Sequence, residues 1–208
     1  MGTPPRVVIE WLEVNDPRVA RRITTQEAVG RLGEPLTASR VRVEDPHGFP
    51  QGSELVVQRV SLNPDVSARG GAAELTVFNA RLRLPSSDPV FFSGRYRPGA
   101  LEVRFYARAL ELQDVLPWLV KGPTRGLWSG RLSEFTGTLE GSLRQLNLHG
   151  TFHVDRLARR ELTILRAPGL ADLTAAFDER PPRLHGQLTL SRGLVVARQA
   201  SITLAPSR

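Results

Sequence analysis

Alternation of apolar and polar residues is the dominant signal along this chain. It is clearest over 101–109, where Leu101, Val103, Phe105, Ala107 and Ala109 alternate with Glu102, Arg104, Tyr106 and Arg108. A period of two places the first set on one face of a β-strand. The same period recurs over 145–155, with Leu146, Leu148, Gly150, Phe152 and Val154 on one face and only polar residues on the other. Further strands are predicted at 7–14, 36–43, 54–62, 74–84, 89–93, 125–132, 135–143, 172–178, 183–190, 193–198 and 201–205, most bounded by Gly, Pro, Asn or Asp. Antiparallel pairing with one wet face follows from the alternation.

Helical signals are few. Thr24 to Glu27 has the spacing of a capping box and Gly33 is a stop, which predicts a short helix over 24–33. A second lies at 112–120, where Pro117 limits it to a turn or two. Two short helices cannot cover the apolar faces of about a dozen strands. The predicted fold is therefore mostly β: an antiparallel, curved and elongated sheet forming a groove, with one or two short helices. A closed β-sandwich is the alternative, in which two sheets fill each other's apolar faces.

The 208 residues suffice for a single elongated β unit, with a possible subdivision into 1–122, which holds both helices, and 123–208, a series of Gly-x-apolar strands. That series includes Gly130-Arg131-Leu132, Gly141-Ser142-Leu143 and the similar pair His149–Val154 and His185–Leu190, but its spacing is too irregular for a strict solenoid. The opening Met1-Gly2-Thr3-Pro4-Pro5 runs almost at once into strand, so the chain reads as part of a longer one. It contains no stretch of the roughly 20 apolar residues that a membrane helix needs.

Chemistry is sparse. The chain has no cysteine, which removes disulfides and thiolate sites. Among 28 basic residues only Lys121 is a lysine, and the net charge is +7. The arginines, among them Arg40, Arg42, Arg81, Arg83, Arg104 and Arg108, stand singly without aromatic interleaving or a basic run, so they read as solvated strand faces and no nucleic-acid partner is expected. His149, His153 and His185 invite a metal hypothesis. Residues four apart on a strand are about 13 Å apart, however, so no metal is expected. Glu111, Asp114, Asp172, Asp178 and Glu179 lack partner spacing, Ser129 lacks a nucleophile elbow, and the glycines at 70–71 lack a phosphate-loop ending. No catalytic residue and no cofactor is expected.

Three stretches resemble the AsmA and TamB superfamily of Gram-negative envelope proteins, its YhdP-type members included. One is Leu36–Phe49 with its Asp45-Pro46-His47-Gly48 turn, followed by Leu55–Leu62; another is the strand-to-helix run Ala109–Leu119; the third is the Gly-x-Leu series from Gly130 to Leu204. The resemblance implies a taco-shaped groove with an apolar interior, in periplasmic proteins anchored to the inner membrane and implicated in phospholipid transfer to the outer membrane. It carries no catalytic residues. The groove lining expected from the alternation is Val103, Phe105, Leu146, Leu148, Phe152, Val154, Leu188 and Leu190. Phospholipid acyl chains and the flanking segments of the native chain are the expected partners. A structural or protein-interaction scaffold is the second reading, and a basic nucleic-acid surface the third.

Overall fold

The computed structural model describes residues 6–9, 12–16, 20–31, 34–46, 49–64, 73–119, 128–142, 144–159, 162–176, 183–197 and 200–204. The strands are β1 (Arg6–Ile9), β2 (Leu12–Asp16), β3 (Ala20–Thr25), β4 (Glu27–Arg31), β5 (Leu36–Pro46), β6 (Glu54–Pro64), β7 (Ala73–Arg83), β8 (Val90–Arg97) and β9 (Ala100–Glu111). Helix α1 (Leu112–Leu119) follows, then β10 (Trp128–Gly141), β11 (Gln145–Arg159), β12 (Leu162–Ala176), β13 (Arg183–Leu190), β14 (Gly193–Ala197) and β15 (Ala200–Leu204). They make one fifteen-stranded antiparallel sheet in which each strand from β5 to β12 pairs with its neighbours in sequence, and the sheet does not close into a barrel. The mostly β, antiparallel architecture is thus as the alternation predicts. From β5 to β12 every ladder joins strands consecutive in sequence, the antiparallel pattern that direct connections allow.

Both ends of the meander fork. The outer edge of β5 is paired by β3 along 42–46 and by β4 along 37–39. The outer edge of β12 is paired by β14 along 162–165 and by β13 along 169–176. At each fork the neighbouring strand is broken and the long strand turns: Arg40 has φ 50° and Arg166 has φ 53°. Pro168 sits beside the second break, and its carbonyl accepts from Ser191 N at 3.0 Å. Its missing N–H faces that junction, which is why a proline is tolerated inside β12.

The helix expected over 24–33 is instead β3 and β4. The Leu36 side chain occupies the space that a Cβ on Gly30 would take, and the Thr25 hydroxyl donates to Ser39 O at 2.8 Å. Pairing with β5 thus overrides the weak capping signal. The single strand expected at 7–14 is two, pairing separately with β4 and β3. The strands expected at 125–132 and 135–143 are one, β10, with Glu134 at φ 50° in a bulge between them. β12 begins ten residues before the predicted 172–178 and runs through Pro168 and Gly169.

Helix α1 spans eight residues, matching the turn or two that Pro117 allows, and packs on β9 and β10. It also fastens the loop between β7 and β8. Asp114 is buried and accepts from Ser86 N at 2.9 Å and from Ser87 Oγ at 2.7 Å, while Ser87 Oγ accepts from Glu111 N at 2.9 Å. Leu82, Leu84, Ala107 and Leu110 pack together at this end of the strands.

Two stability measurements probe this frame. Asp114→Ala strands two donors, so chemical unfolding should show a loss of about 2–3 kcal/mol, with Asp114→Asn costing less because it keeps an acceptor. Arg166→Gly relieves a left-handed residue worth about 1–2 kcal/mol at an entropic cost of about 0.5–1 kcal/mol, so the unfolding midpoint should rise slightly.

Candidate functional site

The register lays residues out in rows that cross the sheet. One row runs Val41, Val57, Ala80, Phe92, Phe105, Gly137, Gly150, Ala171, Leu188. The next runs Ala38, Val60, Val77, Gly94, Val103, Leu139, Leu148, Leu173, Gly186. Residues opposite one another share a face. No charged side chain stands in either row. A third row, from Leu36 and Leu62 through Leu75, Tyr96 and Leu101 to Gly141 and Leu146, is likewise uncharged.

Along β8 to β11 the first two rows are two residues apart, as in Phe92 and Gly94. On β5, β6 and β7 they are three apart, as in Ala38 and Val41, Val57 and Val60, and Val77 and Ala80. Each of these strands therefore turns two consecutive residues to the opposite face: Ser39-Arg40, Gln58-Arg59 and Phe78-Asn79. Asn79 has φ 49° and marks the register shift between β7 and β8. A second line of such shifts crosses Glu134 of β10 and the Arg131/Leu132 step opposite Val154 and Arg156 of β11. Bulges bend and twist a sheet, and here they fall in line on neighbouring strands.

All eight residues predicted to line a groove lie on this apolar face, which no second sheet covers among the described residues. Leu188 belongs to the first row, Val103 and Leu148 to the second, and Leu146 to the third. Phe152 is opposite Gly169, which is opposite Leu190, and Val154 is opposite Ala167 and Leu132. Their exposure is graded: Val154 is 1% and Phe152 6% exposed, Val103, Phe105, Leu146, Leu148 and Leu190 are half-buried, and Leu188 is 61% exposed. Burial of Phe152 and Val154 without a covering layer means that the apolar face is the inside of the curve. Phe152, Val154, Ala167 and Ala171 form a second cluster, and Leu132 and Phe135 of β10 pack against both clusters.

The floor of this face is built from phenylalanines lying on glycines. Phe105 and Phe135 meet edge to face at 5.1 Å, and Phe135 and Phe152 at 5.9 Å. A Cβ on Gly137 would come within 2.9 Å of Phe105 Cζ, one on Gly150 within 3.1 Å of Phe135 Cε2, and one on Gly169 would strike the Phe152 ring. Each ring thus lies over a glycine of the next strand, an arrangement known to pin register.

Sequence reasoning found the odd-numbered face of β9 and the even-numbered face of β11. It did not include the glycines, Phe92 or Phe135 in the lining. The available signal was two polar residues where one is due, as in Val57-Gln58-Arg59-Val60 and Leu132-Ser133-Glu134-Phe135.

The other face carries charge, largely in pairs. Arg42 and Arg83 both reach Glu54, the latter at 3.4 Å; Arg97 and Arg95 reach Glu74 at 3.0 and 4.0 Å; and Glu102 takes Arg95 at 3.0 Å and Arg104 at 3.6 Å. His149 Nδ1 is 3.2 Å from Asp172, and among the described residues no three His, Asp or Glu side chains gather as a metal site. The side chain of His185 lies outside the described residues. Glu111, through its backbone N–H, and Asp114, through its carboxylate, serve the loop anchor described above. Comparison of the chain with family models, curated proteins and solved structures gives no match.

The phenylalanine–glycine floor is directly testable. Gly137→Ala places a methyl against Phe105, Gly150 and the His149 carbonyl, and overpacking of this kind costs about 1–3 kcal/mol. Unfolding in urea should show that loss, whereas Thr138→Ala on the other face should stay within about 0.5 kcal/mol of the parent.

Proposed function

We propose that this chain is a non-catalytic, lipid-binding groove segment of an AsmA-like envelope protein. In this reading the groove shields phospholipid acyl chains, as part of phospholipid transfer toward the outer membrane or its homeostasis. The longer native chain would lie in the periplasm with an anchor in the inner membrane, and its flanking segments would continue the groove. The observation that carries this reading is the inner face itself: three uncharged rows cross the sheet, and no second layer covers them among the described residues. An acyl chain laid on that face gains about 0.8 kcal/mol for each methylene it removes from water. Phe105, Phe135 and Phe152 supply the floor, and Val103, Leu146, Leu148 and Leu190 the half-buried walls. No helix among the described residues is long and apolar enough to cross a membrane.

The second reading, a structural or interaction scaffold, has its own support in the open ends of the sheet, because an unpaired edge is a template for another strand. It predicts association through edges with no lipid inside.

The test is to delipidate the protein, re-expose it to phospholipid vesicles, re-isolate it and measure bound lipid by native mass spectrometry and extraction. Retained phospholipid is expected. Leu188→Asp should lower the amount retained several-fold while shifting stability by no more than about 0.5 kcal/mol, since Leu188 is already largely exposed. Absence of lipid together with edge-mediated dimers in solution scattering would replace this reading with the scaffold.

A further inference from the structure

We propose that the outer face carries a docking site for an acidic, extended segment of a partner protein, centred on Arg81 and Phe91. The site lies opposite the groove and does not depend on what the groove holds.

Most of the outer face is a lattice of arginines neutralised by glutamates, from Arg42 and Arg83 on Glu54 to Arg95, Arg97 and Arg104 on Glu74 and Glu102. The strip between these groups is different. Val56, Arg81, Phe91 and Tyr106 follow one another across β6 to β9. Phe91 is 49% and Phe78 46% exposed, on the face where charged and polar side chains predominate. Phe91 is paired directly with Tyr106, itself 39% exposed, and adjacent exposed aromatics on an otherwise polar surface mark an interaction site.

Beside them stand the cations that the lattice leaves over. Among the described residues Arg59 and Arg81 have no carboxylate within ion-pair distance, Arg40 donates to the Gln26 carboxamide, and Arg81 Nε is buried with no acceptor. A buried donor without an acceptor costs free energy, so Arg81 is the cation of this group least satisfied by the fold itself. The bend line places these groups together, because it is there that Arg40, Gln58-Arg59 and Phe78-Asn79 turn two residues at a time to the outside. The result is two adjoining shallow hollows that share Gln58 and Asn79, one bordered by Arg81, Phe91 and Tyr106 and the other by Arg40, Arg59 and Phe78. Asn79 Nδ2 donates to Gln58 Oε1 at 3.1 Å and Asn79 N to Ser93 Oγ at 3.0 Å, leaving further donors and acceptors for a peptide backbone.

The chemistry selects the occupant. Unpaired guanidiniums want carboxylates, exposed phenyl rings want apolar side chains between them, and spare amides want a main chain. A peptide of alternating acidic and apolar residues supplies all three. Phosphate-rich partners would engage the arginines but leave the amides and the exposed rings unused.

The experiment uses the whole chain, isotope-labelled for amide NMR, and a synthetic octapeptide of alternating Glu and Leu with blocked ends. Shifts confined to β6–β9 are expected, with the same peptide in its Lys-Leu form giving none. Arg59→Glu with Arg81→Glu should weaken binding roughly tenfold or more, the double reversal being worth at least about 1.4 kcal/mol, and added salt should weaken it further. Phe91→Ser, an exposed position, checks the aromatic contribution in a folded protein and should also lower affinity. Three results overturn the proposal: no shifts at about millimolar peptide, equal binding by the charge-reversed protein, or stronger use of the same surface by phosphatidylglycerol vesicles or single-stranded DNA than by the peptide. Loss of lipid retention leaves these readouts untouched, so the two proposals fail separately.

Discussion

A sheet whose apolar face has no second sheet against it among the described residues must bend around that face or leave it in water, and much of this molecule follows from that constraint. Bending is achieved locally. Arg40, Asn79, Glu134 and Arg166, all with φ near 50°, take the left-handed backbone conformation that lets a strand skip a residue. Because the skips fall in line on neighbouring strands, the bend belongs to the sheet and not to one strand. The gain is graded burial: nearly complete at Val154 and Phe152, partial at Val103 and Leu148, slight at Leu188.

Nested rings hold the bend in register. A ring lying on a neighbouring glycine is sensitive to register in a way that Val on Val is not, since a slip of one residue would bring Phe105 over Thr136 or Thr138 instead of Gly137. Gly137 and Gly150 are directly paired, so Phe105, Phe135 and Phe152 interlock across β9, β10 and β11. Leu132 and Phe135 then connect the cluster on β7–β9 with that on β11–β12. Two clusters that would be marginal alone become one continuous surface.

Much of this was legible in the residues. Alternation over 101–109 and 145–155 named the correct face on both strands, because parity along a strand is independent of which partner it finds. It could not foresee register, and so could not show that Gly137 would meet Phe105 or that Gly169 would meet Phe152. The capping pattern at Thr24–Glu27 misled because a Thr-rich strand beginning a fork has the same local letters as a helix start. Pro168 concealed the first ten residues of β12 because its cost depends on a break in the neighbouring strand, which only the fold reveals. The aromatic strip on the outer face was the least visible: Phe78 is placed outside by the skip at Phe78-Asn79, and Phe91 by the register that puts its neighbour Phe92 inside.

The meander also separates two dimensions of the molecule. Strand length sets the cross-section, whereas the number of strands sets the length. Twelve strands lie on the main path, and at about 4.8 Å per strand they extend roughly 50 Å along the sheet. Each added hairpin would advance that length by about 10 Å and repeat the same section, without disturbing contacts already made more than one strand away. Duplication of a hairpin is therefore a mild mutation here, and a family built on this plan can diverge in reach while conserving its bore.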